Sequence, residues 1–139
     1  MPSNVNNKGR RITGGFLMIP HDVLRSDAYR QLSASSVKLL VDLAGQFTGK
    51  NNGDLAACMS VMRPKGWSST ATLHKAKLEL LSAGLIEQTR QGGMNLGPSL
   101  YAVTWKPIDA CEDKRGRRRH DATPTKTPSG LWRKSRAAA

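Results

Sequence analysis

Residue types that carry covalent or metal chemistry are sparse in this sequence and badly spaced for it. His21, His74 and His120 lie far apart, and Cys58 and Cys111 form no Cys-x-x-Cys pair. Metal sites draw on closely spaced pairs, so neither combination has zinc-site spacing. No glycine-rich loop ends in Lys-Ser or Lys-Thr, and no Ser, His and acid set can be assembled along the chain. The expectation is a protein that is not an enzyme and takes no metal and no cofactor. Chemistry of another kind is abundant, in cations and hydroxyls that bind phosphate. Arg63 and Lys65 flank Pro64, and Ser68, Ser69, Ala71, Thr72 and Lys75 follow at a spacing one helix can present together. Hydroxyls near a helix N-terminus donate to phosphates or base edges, where the helix dipole also favours an anion.

The charge balance points the same way. The 139 residues hold 22 Lys or Arg against 10 Asp or Glu, a formal net charge of +12. Cations that neutralise phosphates release condensed counterions, so a polyanion is the expected partner and nucleic acid the first choice. Residues 114–139 carry nine cations and one acid, against thirteen and nine in residues 1–113. Arg115, Arg117, Arg118 and Arg119 form one dense run, and Arg133, Lys134 and Arg136 a second beyond a Thr- and Pro-rich spacer. Composition predicts a disordered basic tail over 109–139, dispensable for folding, that grips DNA without sequence preference. Trp132 is out of character there; docking on a partner protein and an accident of composition are both open readings. No apolar run approaches the roughly eighteen residues that cross a bilayer. Two isolated cysteines and no signal peptide suit a reduced, cytoplasmic protein with no membrane partner.

The elements that must position these groups fit one domain, 15–108, with one modest core built from a 38% hydrophobic sequence. Residues 1–14 read as a flexible arm whose Arg10 and Arg11 either reach a minor groove or are simply solvated. Phe16–Ile19, closed by Pro20, suggests a short strand. Residues 21–32 repeat apolar side chains at helical spacing, with Ser26 able to cap a second turn. Ser33 is placed as the N-cap of a helix whose buried stripe runs Val37, Leu40, Val41, Ala44 and Phe47, widened by Leu39 and Leu43 to suggest packing on two sides, with a staple from Leu32 to Val37. Asp54 is expected to cap a helix from Leu55 to about Met62, with Cys58 in the core. A helix from Ser68 to Ala83 then buries Leu73, Ala76, Leu80 and Leu81. Its far side holds Ser68, Ala71, Thr72, Lys75 and Glu79, and either reads DNA or is merely a solvated face. Gly84 and Leu85 suit a Schellman C-cap. Strands over 85–90 and 100–105 flank the glycine-rich loop 91–99, a hairpin in which Arg90 and Asn95 are candidates for minor-groove or phosphate contacts. Trp67 and Trp105 are expected in the core and Tyr101 partly so, since seven aromatics leave few to spare for base stacking.

Short strand, helix, helix, turn with Gly66, helix and hairpin is the order of an α+β, mainly α, winged helix-turn-helix: a three-helix core with a β-hairpin wing. The chain resembles, over roughly residues 16–106, the winged helix-turn-helix domains of phage and plasmid replication proteins and related bacterial regulators. The resemblance rests on Leu32-Ser33, Asn52-Gly53-Asp54-Leu55, Gly66-Trp67-Ser68, Thr72-Leu73, and Glu79-Leu80 through Ala83-Gly84-Leu85-Ile86. The sequence departs from that family in showing no second domain for oligomerisation or origin melting and no ligand-binding region.

The resemblance implies double-stranded DNA as partner, bound through the 68–83 helix, with Arg63 and Lys65 on phosphates. The expected role is transcription regulation, or binding at an origin or maintenance locus of a plasmid, phage or other mobile element, in association with the nucleoid or plasmid. A homodimer on paired half-sites fits, although no spare apolar helix is left to make one. The alternative is an adaptor in replication or segregation that binds a partner protein through the winged helix and DNA only through its tail. Binding to single strands or RNA lacks both exposed aromatics and a recognisable motif.

Overall fold

The computed structural model describes residues 14–134; Arg10, Arg11 and Arg136 lie outside them. Among the described residues five α-helices surround one face of a three-stranded antiparallel sheet. Two single-turn helices come first, α1 (His21–Leu24) and α2 (Asp27–Arg30). The Ser26 hydroxyl caps α2 by accepting the Tyr29 N–H at 3.2 Å. Residues 16–19 are irregular rather than a strand. Leu17 and Ile19 lean on the core while Phe16 and Met18 stay exposed.

Helix α3 (Ala34–Ala44) starts at Ser33, whose hydroxyl accepts the Ser36 N–H. The Glu79 carboxylate, from another helix, accepts the Ser33 N–H at 2.6 Å and its hydroxyl at 3.3 Å. This supplies from across the fold the carboxylate that a capping box takes from its own third position. Glu79 is half-buried and spent on α3, not turned to the far side of its helix. Leu39, Leu40, Leu43 and Ala44 are buried, while Val41 is exposed.

The stretch read as one helix from Leu55 to about Met62 divides in two, and a turn follows it. Leu55–Ala56 is strand β1, Met59–Met62 is helix α4, and Arg63–Lys65 is a 3-10 turn closed by Gly66 at φ 100°. Leu55 and Cys58 are at helical spacing, but Leu55 is worth more opposite Tyr101 in the sheet, and a short apolar run does not distinguish the two. Asp54 caps nothing; its carboxylate pairs with the Arg119 guanidinium at 2.7 Å. Cys58 occupies the N-cap position of α4 and is half-buried.

Helix α5 (Thr70–Ala83) follows its N-cap Ser69, starts two residues later than its apolar pattern suggests, and buries Leu73, Ala76 and Leu80. It ends as the sequence predicts: Gly84 at φ 76°, with the Leu85 N–H donating to the Leu80 carbonyl and the Gly84 N–H to that of Leu81. Strands β2 (Ile86–Arg90) and β3 (Leu100–Val103) make the hairpin, with a bulge between Gln88 and Arg90. The sheet order is β1-β3-β2. Residues 100–105 are all buried. A central strand has a partner on each side, and both its faces are covered here.

The second cover comes from residues 109–134, which form an ordered strap instead of a disordered tail. Its backbone bonds to the body along its length: Asp109 N–H to Asn52, Asp121 N–H to Thr89, Thr125 N–H to Ile108 and Gly130 N–H to Thr104. His120 and Trp132 are 2% and 5% exposed. Two close approaches admit only glycine: a Cβ on Gly53 (φ +123°) would lie 2.7 Å from His120 Nε2, and one on Gly84 2.7 Å from the Leu131 carbonyl. The strap ends in a short 3-10 turn, Leu131–Arg133, against α2. Charge and polarity predicted disorder, but three well-separated buried residues, Ile108 just before the strap and His120 and Trp132 within it, with backbone pairing between them, are enough to hold it. No helix among the described residues is long and apolar enough to cross a membrane.

Candidate nucleic-acid interface

Packing of α5 on α3 decides which of its groups remain on the surface. With Leu73, Ala76 and Leu80 turned inward, Ser68, Ser69, Ala71, Thr72 and Lys75 are all exposed along its first two turns. The Ser69 hydroxyl is committed as N-cap, accepting the Thr72 N–H at 3.2 Å and the Thr72 hydroxyl at 3.1 Å. Ser68 and Lys75 keep their polar groups for solvent or a ligand.

Beside this end of α5 lies an open concavity of about 360 Å³ lined by Ala34, Ser35, Lys38, Trp67, Ser68 and Thr72 among others. Its floor is a linked set. Lys38 Nζ donates to the Asp42 carboxylate and to the Lys65 carbonyl, both at 2.8 Å, and the Trp67 indole N–H donates to the same carboxylate at 2.8 Å. The Lys38 ammonium also sits 5.7 Å from the Trp67 ring centre. Lys38 thus ties α3 to the turn that carries Arg63 and Lys65. Nothing in the sequence marks it, since on its own helix it is only an exposed cation four residues before Asp42. Arg63 and Lys65 are exposed on that turn, which Pro64 stiffens and Gly66 closes at a positive φ.

The hairpin tip is tight: Gly93 and Gly97 pair, and the Leu96 N–H returns to the Gly93 carbonyl. Asn95 is exposed at its summit in the left-handed region, φ 65°, flanked by exposed Met94 and Leu96. Arg90 is not free to reach a ligand. Its guanidinium donates to the Arg119 carbonyl at 3.0 Å and to the Pro98 carbonyl at 2.7 Å, and its Nε is buried without a partner. It clamps the base of the hairpin to the strap.

The four arginines of the strap differ from one another. Arg119 pairs with Asp54, Arg117 pairs with Asp113 at 3.1 Å, and Arg118 donates to the Ala122 carbonyl. Arg115 is engaged only through its backbone N–H. All four side chains are exposed.

The histidines do not meet: His21 and His74 are exposed, and His120 is buried with Nε2 2.6 Å from the Asp109 carbonyl. Among the described residues no group of three or more His, Cys, Asp or Glu is placed to hold a metal ion. Burial, reinforced by the Asp54 and Asp109 charges, pushes the Cys111 thiol up to about 11 despite Arg119 nearby. A thiol held neutral is a poor nucleophile. No protein-family model, curated protein or solved structure matches the chain.

Proposed function

We propose that the chain is a winged helix-turn-helix protein that binds duplex DNA, regulating transcription or marking an origin or maintenance locus of a mobile element. The observation that carries this reading is the order of elements combined with what α5 exposes. A helix, a short strand, a turn-linked helix pair and a hairpin whose second strand lies between the other two support a winged-helix reading. The second helix of the pair exposes Thr70, Ala71, Thr72, His74 and Lys75 over its first two turns, with no large apolar side chain and no acid among them. In the proposed complex α5 enters a major groove, Thr72 and Lys75 meet base edges, and Arg63 and Lys65 hold phosphates. A cytoplasmic location and a homodimer on paired half-sites accompany the proposal, and no catalytic step is assigned to any residue.

The adaptor reading draws on Leu78, which is 52% exposed on α5. An apolar side chain there suits a protein partner better than a groove wall lined with phosphates.

Titration of two double variants against a selected and a random duplex at several salt concentrations tests both. Thr72→Ala with Lys75→Ala is expected to weaken the selected duplex more than the random one, because each base-edge interaction supplies about 1 to 3 kcal/mol of discrimination. Arg63→Ala with Lys65→Ala is expected to weaken both alike, because phosphates carry no sequence. Equal weakening of both duplexes by the α5 pair, with Leu78→Ser abolishing partner capture, would put the adaptor reading first.

A further inference from the structure

The dense arginine run is built into a hairpin. The Arg119 N–H donates to the Cys111 carbonyl at 3.0 Å, the Asp113 N–H to the Arg117 carbonyl at 2.8 Å, and Glu112 pairs with Arg118 between them. At the turn the Asp113 carboxylate accepts three donors: the backbone N–H of Arg115 at 2.8 Å, that of Arg117 at 2.9 Å, and Arg117 Nε at 3.1 Å. Those donors, the Arg117 backbone first, hold its carboxyl below the usual aspartate value. Gly116, at φ +76°, closes the loop with its N–H on the Asp113 carbonyl at 2.9 Å.

The base of this hairpin is stapled to the fold in three places. Arg119 pairs with Asp54 just before β1, its carbonyl receives Arg90 from the end of β2, and the next residue, His120, is buried against Gly53. Arg90 also holds the Pro98 carbonyl of the glycine-rich hairpin, so one guanidinium joins both loops. What remains outward is Lys114, Arg115, the guanidinium donors of Arg118 not spent on the Ala122 carbonyl, and the terminal nitrogens of Arg117, whose side chain is 70% exposed.

The geometry points to residues 111–119 as a preformed phosphate-gripping hairpin that engages the sugar-phosphate backbone of a DNA duplex alongside the 86–103 hairpin. Asp113 serves it as a positioning residue. This rests on the DNA-binding reading above, and it replaces a flexible electrostatic tail with a shaped one. The difference is physical: a disordered segment loses conformational freedom when it binds, whereas a hairpin ordered beforehand does not. The charge sign of the outward side chains suits phosphate oxygens, which accept from guanidinium and ammonium donors at any sequence.

Adjacent acids provide the test, because Glu112→Ala and Asp113→Ala change the charge identically while only Asp113 holds the turn. Each is titrated by fluorescence anisotropy against a labelled random-sequence duplex of about 20 base pairs, a length that spans roughly two helical turns. Glu112→Ala is expected to tighten binding slightly, by removal of a negative charge. Asp113→Ala is expected to weaken it about threefold to tenfold, since side chains must then be ordered on binding. Gly116→Ala leaves charge untouched and strains only the turn, so it is expected to weaken binding too. Arg115→Ala with Arg118→Ala is expected to flatten the plot of log K against log salt by about 0.9 for each phosphate no longer neutralised. Melting curves exclude global unfolding. If Asp113→Ala and Glu112→Ala tighten binding equally and Gly116→Ala changes nothing, charge alone acts and the hairpin proposal fails while DNA binding stands. If the unaltered protein does not bind the duplex even at low salt, the DNA-binding reading falls and takes this one with it.

Discussion

The Asn52 carboxamide pairs with both backbone groups of Val103, accepting its N–H at 2.8 Å and donating to its carbonyl at 3.1 Å. A side chain thus extends the ladder on the near side of Leu55, where β1 begins. The same Nδ2 also donates to the Lys106 and Pro107 carbonyls, and the Asn52 backbone exchanges bonds with Asp109 at 2.8 Å. One residue fully out of solvent therefore ties the sheet to the start of the strap.

Removing it leaves a buried N–H and several carbonyls unsatisfied. Asn52→Ala is expected to cost about 2 to 4 kcal/mol, since each buried polar group left without a partner costs about 1 to 3 kcal/mol. Asn52→Asp keeps the acceptor but loses the donor, and is expected to be no better. Urea unfolding curves followed by Trp fluorescence measure this; a cost under about 1 kcal/mol would mean that water replaces the carboxamide.

Trp132 gives a prediction opposite to the one composition makes. With its ring buried, stacked under Arg133 at 4.2 Å and part of the main core, Trp132→Ala is expected to destabilise the fold by about 3 kcal/mol. Deletion of residues 114–139 is expected to lower the melting temperature as well. A truncated chain as stable as the whole one would show that the strap contributes binding surface only.

What could be read from the sequence followed the range of each interaction. α3 and α5 are long enough for their 3.6-residue apolar pattern to mark them as helices, though it places the exposed Val41 in the buried stripe, and their ends carry local signals in Ser33 and Gly84. β1 is two residues long and has no pattern of its own. The roles of Lys38, Asn52 and Glu79 depend on partners 27, 51 and 46 residues away, and such pairings leave no mark in local spacing. The strap escaped for the same reason: Ile108, His120 and Trp132 follow no period, and the cations between them dominate its composition. Within the candidate interface, the exposed α5 face and the Arg63 turn were legible because both are local, whereas the internal use of Arg90 was not.

Glu79 separates stability from binding. Glu79→Ala leaves the Ser33 N–H without its acceptor and is expected to cost about 1 kcal/mol, the usual worth of a helix cap. Glu79→Gln retains an acceptor and is expected to recover part of that. Because Glu79 faces α3, neither change is expected to alter affinity for a random duplex by more than about twofold, a difference well under about 1 kcal/mol. A large gain in affinity for Glu79→Ala would place its charge next to the phosphates after all.

Cys111 reports on whether the strap is seated. With its thiol pushed up to about 11 by burial and two neighbouring carboxylates, the thiolate at pH 8 is about one part in a thousand, against roughly a quarter for an ordinary thiol. Alkylation by iodoacetamide is therefore expected to be about a hundredfold slower at Cys111 than in the urea-unfolded chain, with peptide mapping to separate it from Cys58. The sign carries over to stability: the folded state prefers the neutral thiol, so this contribution is full below the ordinary thiol value and is lost as pH rises through the raised one. Gly53→Ala pushes a methyl group into His120 and is expected to lift the strap. In that variant the rate at Cys111 should rise towards the unfolded value while the helical signal in circular dichroism persists. If Cys111 of the unaltered protein reacts as fast as the unfolded thiol, residues 109–121 are not held against Asn52 and Gly53, and the arginine hairpin they carry has no footing on the fold.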